Sequence, residues 1–234
     1  MCERERRFVM PIVTLRASLE ELLHQRCFFL FMAELVMLIS MPFLAGTASG
    51  RWVITLTNAI VLVTAVAAVG RTRFSFVIAF LLALPALVFR LLSVDGSSPG
   101  YIALAWSCNA LFYVFVLANL LHYVLRRDVM TADKLYGAVA AYVLIAILWA
   151  FLHGVLQYFH PGAYAFGGTP KALDMGELIY FSFTALTTTG FGDITPMVIH
   201  SRFLTMMEMV TGVMYIAILI ARLTGVYPVV VKKP

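Results

Sequence analysis

Six stretches of this chain, at about 27–48, 52–70, 74–94, 101–125, 135–159 and 203–225, stay apolar long enough to cross a lipid bilayer, for which roughly 20 helical residues suffice. That one feature removes most folds from consideration. Hydrocarbon offers no hydrogen-bond partner, so each stretch must satisfy its own backbone, and stretches of this length do so as α-helices. Composition agrees, since charged residues are only 12% of the 234 against about 25% in soluble domains. The net charge of +5 then reads as basic membrane flanks rather than a nucleic-acid surface. Cys2, Cys27 and Cys108 offer neither a disulfide framework nor a metal-binding spacing. Segment 1–26 is too charged for a cleaved leader. Its leucines among arginines suit either an ordinary basic flank or a helix lying on the inner leaflet.

Between the last two stretches lies a shorter apolar run, Met175–Leu186, followed at once by T-T-T-G-F-G-D, Thr187–Asp193. At about 1.5 Å per residue the run reaches less than about 20 Å, too short to cross. It reads as a re-entrant helix. Asp174 and Glu177 have the spacing of a capping box, which places the helix start at Met175. The polar loop that follows must be buried in protein or line an aqueous path, because lipid would leave its backbone unpaired.

A dehydrated cation needs oxygens in place of its water shell. Successive backbone carbonyls supply them if they face one side, and neither helix nor strand arranges that. Alternation between right- and left-handed backbone does. The left-handed form costs most residues about 1–2 kcal/mol and glycine almost nothing, and Gly190 and Gly192 are spaced by one residue.

A re-entrant helix followed by T-T-T-G-F-G-D resembles the pore loop of potassium channels, whose T-V-G-Y-G carbonyls replace the hydration shell of K+. The resemblance runs from about Lys134 to Val226. It implies a filter of Thr188, Thr189, Gly190, Phe191 and Gly192, with K+ held at Thr188, Thr189, Gly190 and Phe191. One chain supplies one strand of each ring, so the resemblance implies a homotetramer. It also implies support for the filter from Thr187, Thr184, Tyr180 and Phe181. Phe191 departs from the commoner tyrosine, which removes one hydrogen bond that braces such filters. Asp193 lies at the outer mouth, where it either concentrates cations by its charge or is tied to the pore helix. Glu208 either braces the pore helix from behind, Thr184 standing where some relatives carry a buried acid, or is bonded at the outer water layer. Gly212 stands where the family often has an inner-helix hinge, and close packing by a small residue is the rival reading.

Lysine and arginine placement sets the orientation. With the N-terminus inside, thirteen of them fall in cytoplasmic segments and four outside, so both termini are expected inside a cell membrane. The expected fold is an all-α membrane protein of six transmembrane helices plus the re-entrant pore helix and filter. The expected domains are an N-terminal segment 1–26, a peripheral four-helix domain 27–128, a pore domain 129–226 and a short tail 227–234. Within the pore domain, T-A-D-K-L-Y after Thr131 reads as an amphipathic linker along the inner surface. The fourth span, 101–125, holds no Lys or Arg, whereas steep voltage gating needs several charges at about 2.3 kcal/mol per 100 mV each. Lone Arg90 is expected to snorkel to the headgroups. No attached regulatory domain is expected beyond the pore, and His160 and His200 read as solvated loop histidines.

The expected activity is passive K+ conduction, with no cofactor beyond the permeating ions and with lipid and further copies of the chain as partners. A weakly selective cation channel and, further off, a potassium transporter subunit are the alternatives. An enzyme is disfavoured because Asp193 and Glu208 stand fifteen residues apart with no nucleophile, base or metal cluster beside them.

Overall fold

The computed structural model describes residues 25–44, 48–70, 73–92, 99–126, 129 and 131–225. Almost all of segment 1–26 and the tail 227–234 therefore lie outside the described residues. Helices run over Arg26–Leu44 (α1), Ala48–Val69 (α2), Arg73–Leu92 (α3), Pro99–Leu125 (α4), Ala132–Phe159 (α5), Met175–Leu186 (α6) and Ile199–Thr224 (α7). Among the described residues six of these, all but α6, are long and apolar enough to cross a membrane. Among the described residues there are also three short strands: Tyr164–Phe166 (β1), Thr169–Pro170 (β2) and Ile194–Pro196 (β3).

α5 is the centre of the molecule. It packs against α4, α1 and α6, and 61% of its span is buried against 17% for α7. Small residues allow the close approach: Ala138, Ala141, Ala146 and Ala150 are fully buried along one side. Ala138, Ala141 and Ala146 share one core cluster with Leu30 of α1 and Phe112, Tyr113 and Leu120 of α4. At Gly137 an added Cβ would lie 3.2 Å from Cys27 Sγ and 3.3 Å from a methyl of Val124, so α1, α4 and α5 meet there.

The segment after Thr131 is not a separate linker. Thr131 is the N-cap of α5 itself, accepting from the Lys134 amide at 3.3 Å, and the helix then runs unbroken to Phe159. Its polar residues answer the four-helix region rather than a surface. Asp133 accepts from the Cys27 amide at 2.9 Å and from the Tyr123 hydroxyl at 2.8 Å. Lys134 donates to the Arg126 carbonyl and lies over the Tyr123 ring. Arg90 also departs from expectation. It turns inward and lines a cavity of about 20 Å³ with Asn58, Trp106, Asn109 and Ile179, so α3 reaches the neighbourhood of α6.

The strands form one antiparallel sheet in the order β2-β1-β3, with Tyr164 opposite Pro196 and Phe166 opposite Ile194. The β1–β2 turn runs through Gly167 and Gly168 at φ +55° and +81°. This sheet ties the chain entering α6 to the chain leaving it, and so closes the loop that carries the site.

Candidate functional site

α6 starts where its side chains can satisfy its first amides. Asp174 accepts from the Glu177 amide at 2.9 Å, and Glu177 accepts from the Asp174 amide at 3.0 Å, a reciprocal capping box. Lys171 adds a 2.5 Å bond to Glu177, which raises the pKa of the exposed Lys171 ammonium. Gln157 of α5 anchors the preceding chain, giving and receiving hydrogen bonds with the backbone of Leu173.

At its other end α6 is finished by the loop itself. The Thr187 amide and hydroxyl both donate to the Phe183 carbonyl. The Thr188 amide takes the Ala185 carbonyl at 2.9 Å. The amides of Thr189 and Gly190 both take the Thr184 carbonyl, at 2.9 and 3.2 Å. The chain thus doubles back along the last turn of the helix. Left-handed φ values then recur at every second residue: Thr188 at +57°, Gly190 at +53° and Gly192 at +80°. Thr189 and Phe191 between them keep ordinary negative values. Glycine takes this conformation freely, whereas Thr188 is held in it at a cost of about 1–2 kcal/mol, which the amide bonds of its neighbours offset. The Thr187 and Thr189 hydroxyls meet at 2.9 Å.

The two adjacent aromatics of α6 divide between its faces. Tyr180 lies on the loop side, its ring parallel to Phe191 at 6.4 Å. Its hydroxyl faces Asp193, whose carboxylate raises the phenol pKa. The Asp193 backbone carbonyl receives the Gly167 amide at 2.8 Å. Phe181 turns the opposite way, edge-on to the rings of His153 and Tyr164.

Behind α6 lies a sealed polar node. Glu208 of α7 bonds Ser182 of α6 through Oε1, and its Oε2 lies 2.8 Å from His153 Nε2 of α5. His153 Nδ1 meets the Tyr164 hydroxyl of β1 at 2.6 Å. Ser182 also lies 2.6 Å from the Ala146 carbonyl of α5. All four side chains are fully buried, so Glu208 is not bonded at a water layer; it braces α6 from behind. Thr184 takes part through its carbonyl, its hydroxyl being turned to the Phe181 carbonyl. Sequence alone does not bring His153, Ser182 and Tyr164 to the site. His153 carries a usable signal, an ionisable side chain inside an apolar span.

Gly212 completes the contact between α7 and α6. A Cβ there would lie 2.0 Å from the Leu186 carbonyl oxygen, which requires glycine at that position for close approach alone. The loop side of α6 is uncovered in the single chain. Phe191 is 70% exposed, and nothing lies within 4 Å of a Cβ built at Gly190 or Gly192.

Residues 138–227, from the second turn of α5 past the end of α7, match the model of a protein family described as an ion channel. No curated protein and no solved structure matches the chain.

Proposed function

We propose that this chain, a membrane ion channel and not an enzyme by its match over residues 138–227, forms a homotetrameric pore selective for K+. The filter in this reading is Thr188, Thr189, Gly190, Phe191 and Gly192. The observation that carries it is the alternation of left-handed φ at Thr188, Gly190 and Gly192 directly beyond a short capped helix. Alternation of this kind turns successive carbonyls to one side, and rings of such carbonyls replace the hydration shell of K+.

The uncovered loop supports assembly around a shared axis. So does α7, where Phe203, Met206, Met207, Val210, Val213 and Met214 are exposed in the single chain. In this reading α6 enters from the outside and its C-terminal end points to the membrane centre, where the negative pole of its dipole favours a waiting cation. Asp193 sits at the outer mouth, and residues 129–226 form the pore domain beside a peripheral domain of 27–128. Both termini lie on the cytoplasmic side of the cell membrane, as the thirteen-to-four basic bias favours. α4 holds neither Lys nor Arg, so no steep intrinsic voltage dependence follows from it. A hinge at Gly212 is a separate proposal, because its approach to Leu186 already accounts for the glycine.

The test is K+ and Na+ flux through the purified protein in liposomes, with and without an applied potential. K+ flux far above Na+ flux, flat with potential, is expected. A bi-ionic reversal potential near the sodium value would replace this reading with a weakly selective cation channel. Flux that runs uphill or needs a second ion gradient would replace it with a transporter.

A further inference from the structure

The contacts of the node behind α6 are complete enough to locate its protons. They run in series from the Tyr164 hydroxyl to His153 Nδ1, from His153 Nε2 to Glu208 Oε2, from Glu208 Oε1 to Ser182 Oγ, and from Ser182 Oγ to the Ala146 carbonyl. Each contact needs one hydrogen between its two heavy atoms, and no water reaches side chains that are 0% exposed.

Ala146 offers only carbonyl lone pairs, so the single Ser182 hydrogen belongs to that contact. Ser182 then has nothing to give Glu208, and Glu208 Oε1 must be the donor. A carboxyl that donates is protonated. Its Oε2 accepts from His153 Nε2–H, which leaves Nδ1 a bare acceptor for the Tyr164 hydroxyl. Every hydrogen has an acceptor and every contact a hydrogen. The ionised alternatives leave gaps. A Glu208 carboxylate is acceptor-only, so it competes with Ala146 for one hydrogen and leaves an oxygen pair in contact with none. An imidazolium at His153 makes Nδ1 a donor and strands the Tyr164 hydrogen. A charge sealed from water is costly in its own right, whereas a neutral chain with every group satisfied is not.

We propose that Glu208 is a protonated carboxylic acid, the middle link of a one-way chain Tyr164→His153→Glu208→Ser182→Ala146 carbonyl that positions the filter. Ser182 precedes Thr184 by half a turn of α6, and the Thr184 carbonyl holds the amides of Thr189 and Gly190. The chain ties that turn to α5, β1 and α7 at once. His153, Tyr164, Ser182 and Glu208 are positioning residues that touch no ion, and the inference rests on the filter reading given above.

Glutamine copies a protonated glutamic acid, accepting from His153 through its carbonyl and donating to Ser182 through its amide. Glu208→Ala should lower K+ flux in liposomes about tenfold, the loss that one unmet buried hydrogen bond produces. Glu208→Gln should restore the flux and the preference for K+ over Na+. A Glu208→Gln channel as impaired as Glu208→Ala overturns the proposal.

Infrared spectroscopy decides the protonation state without any variant at 208. Glu34→Gln protein carrying isotope-labelled glutamate carboxyls lacks the other glutamic acid that is buried among the described residues, and at neutral pH it should show a labelled carboxylic-acid C=O stretch. Labelled carboxylate bands alone contradict the proposal. Absence of K+ flux in the wild type sinks the filter reading instead, and the infrared result still judges the proton.

Discussion

Glu208 in the unit of α5, α6 and α7 and Glu34 in the four-helix region are equally buried, at 0% exposure, and each interrupts an apolar stretch of its helix. Around Glu208, α5 and α6 each aim a polar side chain at the carboxyl, and β1 adds Tyr164 on the far side of His153. Around Glu34 none does, and both carboxyl oxygens lack a hydrogen-bond partner among the described residues. Polar groups of the four-helix region are engaged elsewhere. Ser40, Thr57, Thr64, Ser107, Asn109 and Asn119 each bond a carbonyl of their own helix, and Asn58 is taken by the Tyr113 hydroxyl at 3.3 Å. Directional contacts between elements allow the unit of α5, α6 and α7 one arrangement. Apolar packing, which dominates between α1, α2, α3 and α4, has no such directionality and constrains register less.

The contrast makes substitutions in the unit of α5, α6 and α7 severe and most of those in the four-helix region mild. The largest effect is expected from Gly190→Ala. A methyl opposes φ +53° by about 1–2 kcal/mol in each copy, and K+ flux should vanish while assembled protein is still recovered. Full flux from that variant would remove the backbone account of the filter.

Glu208→Ala should lower stability by roughly 3 kcal/mol, since it opens a cavity and leaves His153 short of a partner. Urea unfolding of the purified protein in detergent, followed by circular dichroism, measures this. Gly212→Ala comes next, at about 1–3 kcal/mol by the same assay, because its Cβ would press on the Leu186 backbone. Glu34→Leu should have the opposite sign, neutral or stabilising by about 1–2 kcal/mol, because it removes a polar group that has nothing to bond. If Glu34→Leu destabilises as much as Glu208→Ala, the distinction between the two regions fails.

The parts of this molecule legible in its sequence are those whose signal is local. Each long span declares itself by unbroken apolar length, and α6 by being too short to cross and by Asp174 three residues before Glu177. The spacing of Gly190 and Gly192 likewise points to alternation, but nothing in a run of threonines marks Thr188 as the third left-handed residue. The start of α7 carries no such mark, since Val198 caps it with no side-chain bond. Strands of two and three residues are too short for a period-two pattern to register. His153 and Glu208 are 55 positions apart, a separation no periodicity spans, so only the packed helices bring them together. The polar residues of T-A-D-K-L-Y look like a surface pattern until Cys27 and Tyr123 are seen to claim Asp133.

Electron cryomicroscopy of the purified protein in lipid nanodiscs tests the central claim most directly. The account predicts a particle of four chains with Thr188–Gly192 of each lining a common axis and ion density between them. A single chain, or an assembly in which that loop faces lipid or lies away from the symmetry axis, would contradict it.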